Sequence, residues 1–306
     1  MCFFMFGCNS LCELARNCPW SHSVSDLSRS IQRFDSSRFM RRLRASILRH
    51  YGGKISAEDF CFAVDDTANP KYGKKIFRCG SWHSSGGLYF GQKILVLVLV
   101  DIKRSIALPL AYIVLPKKGD PAHKTAPKLA IDLLRFALAE GYPQLSVTTD
   151  SWFDSSQFIA DIEGLGLQLI GELKANRKVK TSPGPDSKWV TLPQFFASKS
   201  RFKVNSRFDS KAVKEHKKVP KSAAQSRIFI RDRRSGLNGL AVYNRKNGIE
   251  AFAYYVSTDL SMSGSRIWEI TRARWRIECL FRDLKQHLSF GRLPCGGEKA
   301  ADFAVC

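Results

Sequence analysis

The chain has 306 residues, enough for one large domain or two small ones around a hydrophobic core, and 44% hydrophobic residues exclude general disorder. Lysines and arginines number 49 against 27 acids, a formal net charge of +22. Such an excess points to a polyanionic partner, nucleic acid first and anionic membrane second, ahead of a basic enzyme that is only highly soluble.

No apolar run reaches membrane length. The longest, Ile94–Val100, reads as a buried strand. Met1–Gly7 is apolar but has no basic flank and no cleavage site, so it is read as upstream sequence after a misplaced start codon rather than as a signal peptide. Nine cysteines include Cys2, Cys8, Cys12 and Cys18 near the N-terminus, without the C-x-x-C spacing of a zinc site. They read as reduced thiols, and the expected location is cytoplasmic and nucleoid-associated, with no membrane partner.

In chain order, residues 21–50 predict a helix capped by Ser25, with Leu27, Ile31, Phe34, Phe39, Leu43, Ile47 and Leu48 on its apolar side. Arg41, Arg42, Arg44 and Arg49 decorate it, either as a DNA-contacting surface or as a soluble face; the two readings stand level. Strands follow at Phe60–Asp66, Leu88–Val100 and Ile106–Leu115. Thr125–Glu140 has helical spacing, Gln144–Thr149 is a strand that runs into Asp150, Phe153–Leu165 a helix and Leu167–Leu173 a strand. The alternation predicts an α/β fold, a mixed sheet covered by helices.

Residues 174–234 hold 18 lysines and arginines against four acids, a local charge of +14. Trp189, Phe195, Phe196, Phe202, Phe208 and Phe229 punctuate them. Each aromatic alone reads as core; the stretch as a whole reads as a nucleic-acid surface, since cations track phosphates and aromatics stack on bases. Lys217, Lys218 and Lys221 are its candidate phosphate contacts. Strands at Leu240–Asn244 and Phe252–Ser257 precede a last helix, from about Ser263 to about His287. No Walker loop or G-x-S-x-G elbow is present, and His83 and His123 lack a matched metal cluster.

The chemistry-bearing residues are acids. Asp65 and Asp66 follow the strand CFAV, Asp150 follows VTT, and Glu278 lies in the helix TRARWRIECLFRDLK. At about 100° per residue, Thr271, Arg274 and Lys285 fall within roughly 40° of Glu278, so cations flank an acid on one helix face. A surface ion-pair stripe would give the same helix pattern. The strand-end acids tip the reading towards a site, because acids at strand ends project where sites are built. Three converging carboxylates repel unless cations balance them, and two Mg²⁺ ions would do so. Neighbouring strand residues face opposite ways, so Asp65 and Asp66 do not both aim at one site; Asp65 is preferred.

The Glu278 segment resembles the Y-x-x-R-x-x-x-E-x-x-x-x-x-x-K signature of bacterial insertion-sequence DDE transposases, with AVDDT and TTDSWF similar to that family's two aspartate segments. The resemblance runs from about Phe60 to about His287 and implies an RNase H-like fold. It implies a catalytic core of residues 56–174 and 258–290, a basic strand-containing insertion at 175–257, a helical region at 1–55 and a truncated tail at 291–306. It implies metal-dependent cleavage and strand transfer at transposon ends, with Asp65, Asp150 and Glu278 as ligands of two Mg²⁺ ions that Mn²⁺ replaces. Double-stranded DNA, as terminal repeats and target, is the implied partner, held by Arg274 and Lys285, and the resemblance allows a homodimer on it. Tyr254 stands about where relatives place an aromatic against a flipped base; a core tyrosine is an equal reading. Thr271 replaces the signature tyrosine, and the early stop after the helix suggests a decayed copy. A related nuclease and an inactive DNA-binding relic therefore remain as alternatives.

Overall fold

The computed structural model describes residues 16, 23–73, 75–84, 87–204, 221–243, 251–287 and 298–305. Two helices, not one, occupy the first basic segment: α1 (Val24–Arg33) and α2 (Ser36–Tyr51). Ser23 caps α1, and Asp35 starts a second helix by accepting from the Arg38 backbone N–H. A side chain that satisfies a free helix-end donor ends one helix and begins the next. Arg44 is buried, donating to Glu140 and to the Leu110 carbonyl with its guanidinium over the Phe136 ring, so it is a structural arginine. Arg41, Arg42 and Arg49 are exposed.

The core strands are β1 (Phe60–Pro70), β2 (Gly80–Ser84), β3 (Gly87–Asp101), β4 (Ile106–Val114), β5 (Ser146–Thr149) and β6 (Gln168–Leu173). Between them lie α3 (Ala126–Ala139) and α4 (Ser156–Gly164). β1 runs antiparallel to β3 and parallel to β5; β6 continues parallel to β5, and β2 and β4 both pair with β3. The mixed, helix-flanked sheet expected of an RNase H-like fold is present.

β3 is buried on both faces, which explains its continuous apolar run. Leu95, Leu97 and Leu99 join Phe62 and Val64 beneath α2, α3 and α4. Ile94, Val96, Val98 and Val100 join Cys61 and Ala63 beneath the long helix α6 (Gly264–His287), through Ile267, Ile270, Ala273 and Ile277. One-residue parity therefore decides which layer each side chain meets.

β7 (Lys178–Lys180), β8 (Val190–Thr191), α5 (Leu192–Phe196), β9 (Phe202–Val204), β10 (Lys221–Ile230), β11 (Leu237–Tyr243) and β12 (Ala251–Ser257) lie in the stretch expected as the insertion. Its strands join the core: β12 pairs antiparallel with β6, giving one continuous sheet. Phe195, Phe196 and Phe229 are core; Trp189 and Phe202 are 38% and 37% exposed. Phe208, Lys217 and Lys218 lie outside the described residues. Lys221 opens β10. The segment expected as a truncated tail contains a helix, α7 (Glu298–Val305), with Ala301 buried and the Asp302 carbonyl accepting from the Tyr112 hydroxyl.

Side chains of the insertion hold the start of α6. The Gly264 N–H donates to Gln225 Oε1 at 2.8 Å, and Gln225 Nε2 donates to Asn238 Oδ1 and the Met262 carbonyl. A Cβ at Gly264 would lie 2.6 Å from Phe202 and 2.9 Å from Leu240, so only glycine allows this approach.

Candidate active site

Asp65 and Asp66 lie inside β1, not at its end as the sequence suggested, facing Val96 and Leu95 across the antiparallel pair. β5 pairs with β1 only at Phe62 and Ala63, so beside Asp65 and Asp66 β1 has no paired neighbour on that side, and both side chains are half-buried. The same register brings Asp150, directly after β5, level with Asp65. Asp150 caps a short 3-10 turn, with Oδ1 accepting from the Trp152 N–H at 3.0 Å.

Parity sends Asp65 towards α6. There Arg274 Nη1 donates to Asp65 Oδ2 at 2.8 Å, and Nη2 donates to Glu278 Oε1 at 3.0 Å. One guanidinium spans carboxylates that stand more than 200 residues apart, and so links β1 to α6. Asp66 points the other way, to Lys93 Nζ at 2.9 Å. Lys285 Nζ donates to Thr67 Oγ1 at 2.6 Å, so the cation one turn pair beyond Glu278 also reaches β1. Thr271, in place of the signature tyrosine, bonds back to the Trp268 carbonyl of its own helix.

Burial pushes the Asp65 carboxyl up to about 7; Arg274 opposes the rise, and Asp150 and Asp66 add to it. Burial also raises Asp66, against the pull of Lys93. Lys285 is lowered by burial. Sequence reasoning missed a further acid, Glu172 on β6, raised by burial, with Arg274 opposing and Asp150 and Glu278 adding. The pairing of Thr149 with Gly171 puts Glu172 one strand over from Asp150. Its signal was parity alone: Glu172 shares a face with Ile170 and Tyr255, the face of α6.

Tyr254 does not face this cluster. It is 4% exposed and packs 6.0 Å from the Phe196 ring in the opposite layer, which is the core tyrosine of the two readings and not the DNA-facing aromatic. Its neighbour Tyr255 is the one on the α6 side, 5.9 Å from Trp268.

Asp65, Asp150, Glu172 and Glu278 thus surround Arg274. The donor set is all oxygen, which suits a hard divalent cation. Asp65, raised chiefly by burial and further by the neighbouring Asp150 and Asp66, fits the same reading. Among the described residues no three acidic, histidine or cysteine side chains close on one point as they stand. The guanidinium lies between Asp65 and Glu278. No helix among the described residues is long and apolar enough to cross a membrane.

No curated protein matches the chain. Among solved structures, a piggyBac transposase synaptic complex with hairpin DNA is similar at 11% identity and a TM-score of 0.42, covering 79% of this chain. The chain spans 45% of the length of that protein. The catalytic domain of human endonuclease V is similar at 12% identity and a TM-score of 0.34, covering 83% of this chain and 96% of the other. The transposase DDE domain family matches residues 61–305, a span that contains β1, the end of β5 and all of α6. The chain belongs to the transposase DDE domain family.

Proposed function

We propose that the chain is a transposase that cuts DNA at the ends of a mobile element and joins the freed ends to target DNA. In this reading Asp65, Asp150 and Glu278 hold two divalent ions, Mg²⁺ or Mn²⁺ in its place. The observation that carries it is the gathering of these carboxylates, from β1, the end of β5 and α6, around one guanidinium. When bound, the ions supply positive charge to the attacking and leaving oxygens of the phosphodiester. In this reading Asp150, whose Oδ1 accepts from the Trp152 N–H, offers its other oxygen to the ions. Arg274 and Lys285 meet the phosphates beside the cut, and the basic insertion carries the flanking duplex.

Double-stranded DNA, bound at terminal repeats, is the substrate of this reading, and two copies of the chain would act on paired ends. The test is an end-cleavage and strand-transfer assay in Mg²⁺ with Asp150→Asn and Glu278→Gln. Each substitution removes a ligand charge and should abolish cutting while DNA binding persists. Cutting by the double variant would refute the carboxylate assignment. Cutting without joining would make the chain a nuclease, and binding without cutting an inactive relic.

A further inference from the structure

Trp152 is not used by the site as described, yet it stands at its rim. It lies two residues after Asp150, and its backbone N–H donates to the Asp150 carboxylate. Its side chain is 55% exposed, an unusual position for the largest apolar side chain. The indole is nevertheless held. Lys93 Nζ lies 4.5 Å from the ring centroid and 2.9 Å from Asp66 Oδ2. Lys93 is itself buried, next to the buried Gln92 and directly before the apolar run Ile94–Val100 of β3.

The order Asp66, Lys93, Trp152 explains three residues together. Asp66 neutralises a buried ammonium, and the ammonium braces one face of the indole by a cation–π contact. The rest of the ring is open to solvent. A flat, exposed, braced aromatic is costly as surface and suited to stacking; every nucleobase presents a π-face to such a ring. The chain's positive charge supplies the attraction for the backbone that would carry the base.

We propose that Trp152 is a stacking platform for an unpaired nucleobase next to the carboxylate cluster, so that the protein prefers duplex ends with a single-stranded extension over blunt ones. The proposal rests on the DNA-cutting reading for its partner but not for its test. Stacking of one base is worth about 1–3 kcal/mol, which corresponds to roughly tenfold or more in affinity.

The experiment uses the full chain in EDTA, where no strand is cut. The probes are a blunt duplex and the same duplex with a three-nucleotide overhang carrying 2-aminopurine. Wild type should bind the overhang probe about tenfold more tightly and quench its fluorescence. Trp152→Ala should bind both probes alike without the quench, and Trp152→Phe should keep most of both effects. Equal preference and quenching in Trp152→Ala and wild type overturns the platform. Cutting in Mg²⁺ by a protein that gives that result leaves the proposed function standing alone. An overhang preference lost with Trp152, in a protein that never cuts, leaves the platform standing and removes the cleavage reading.

Discussion

Replacing Arg274 by Gln tests whether the guanidinium is the counter-ion of the metal-free cluster. The variant keeps a hydrogen-bonding side chain but leaves Asp65 and Glu278 without a positive partner. Breaking a fully buried ion pair costs about 3–5 kcal/mol. Here the loss is capped, because Asp65 escapes by keeping a proton. With Arg274 beside it, Asp65 already titrates at about 7, so the folded chain holds a proton that the unfolded chain releases near pH 4. The Asp65 contribution to wild-type stability therefore falls as pH rises from about 4 to about 7 and is level above. Without Arg274 the folded carboxyl titrates higher still, and the fall continues past pH 7 at about 1.4 kcal/mol per unit. The difference between variant and wild type should be about 1 kcal/mol near pH 7.5 and roughly 3 kcal/mol by pH 9. Urea denaturation in EDTA at several pH values measures it. A difference of constant size across that range would refute the argument.

Three further outcomes follow from the same geometry. Mn²⁺ affinity, read by calorimetric titration, should fall about tenfold per pH unit below about 7, because Asp65 must lose its proton to bind a cation; an affinity flat to pH 5 would exclude Asp65 as a ligand. Gly264→Ala should lower stability by about 1–3 kcal/mol in thermal unfolding, since its Cβ meets Phe202 and Leu240; an unchanged melting temperature would mean that the start of α6 shifts freely. Replacing Lys217, Lys218 and Lys221 by Ala should flatten the salt dependence of DNA binding by about 0.9 in log–log slope for each lysine on a phosphate; an unchanged slope would leave these lysines as a solvated face.

The sequence carries the parts of the site that depend on local pattern. Strand alternation separates Asp65 from Asp66, and the structure sends them to opposite faces, one to Arg274 and one to Lys93. Helical spacing put Arg274 and Glu278 on one face of α6, and they bond as an i,i+4 pair. What stayed hidden depends on pairing across the sheet. Glu172 joins the cluster only because β6 lies beside β5. Lys93, which register sets opposite Ala68, reaches diagonally on the same face to Asp66. β10 escaped notice because its first half, KSAAQS, has no apolar alternation, and its place comes from pairing with β9 and β11. Tyr254 and Tyr255 differ by one position, and only the register with β6 decides which one meets the core beside Phe196.

The clamp on Gly264 also orders assembly in time. Asp65 and Asp150 sit on strands made early in synthesis, but Glu278 reaches them on a helix whose first turn is held by Gln225, with Asn238 beside it. Nothing earlier in the chain supplies those amides. β1 and β5 are made long before the third carboxylate, and the amides at the start of α6 come from β10 and β11. Contacts over such sequence separations form slowly. The charge cluster closes only once α6, the last of the elements that supply it, has been made.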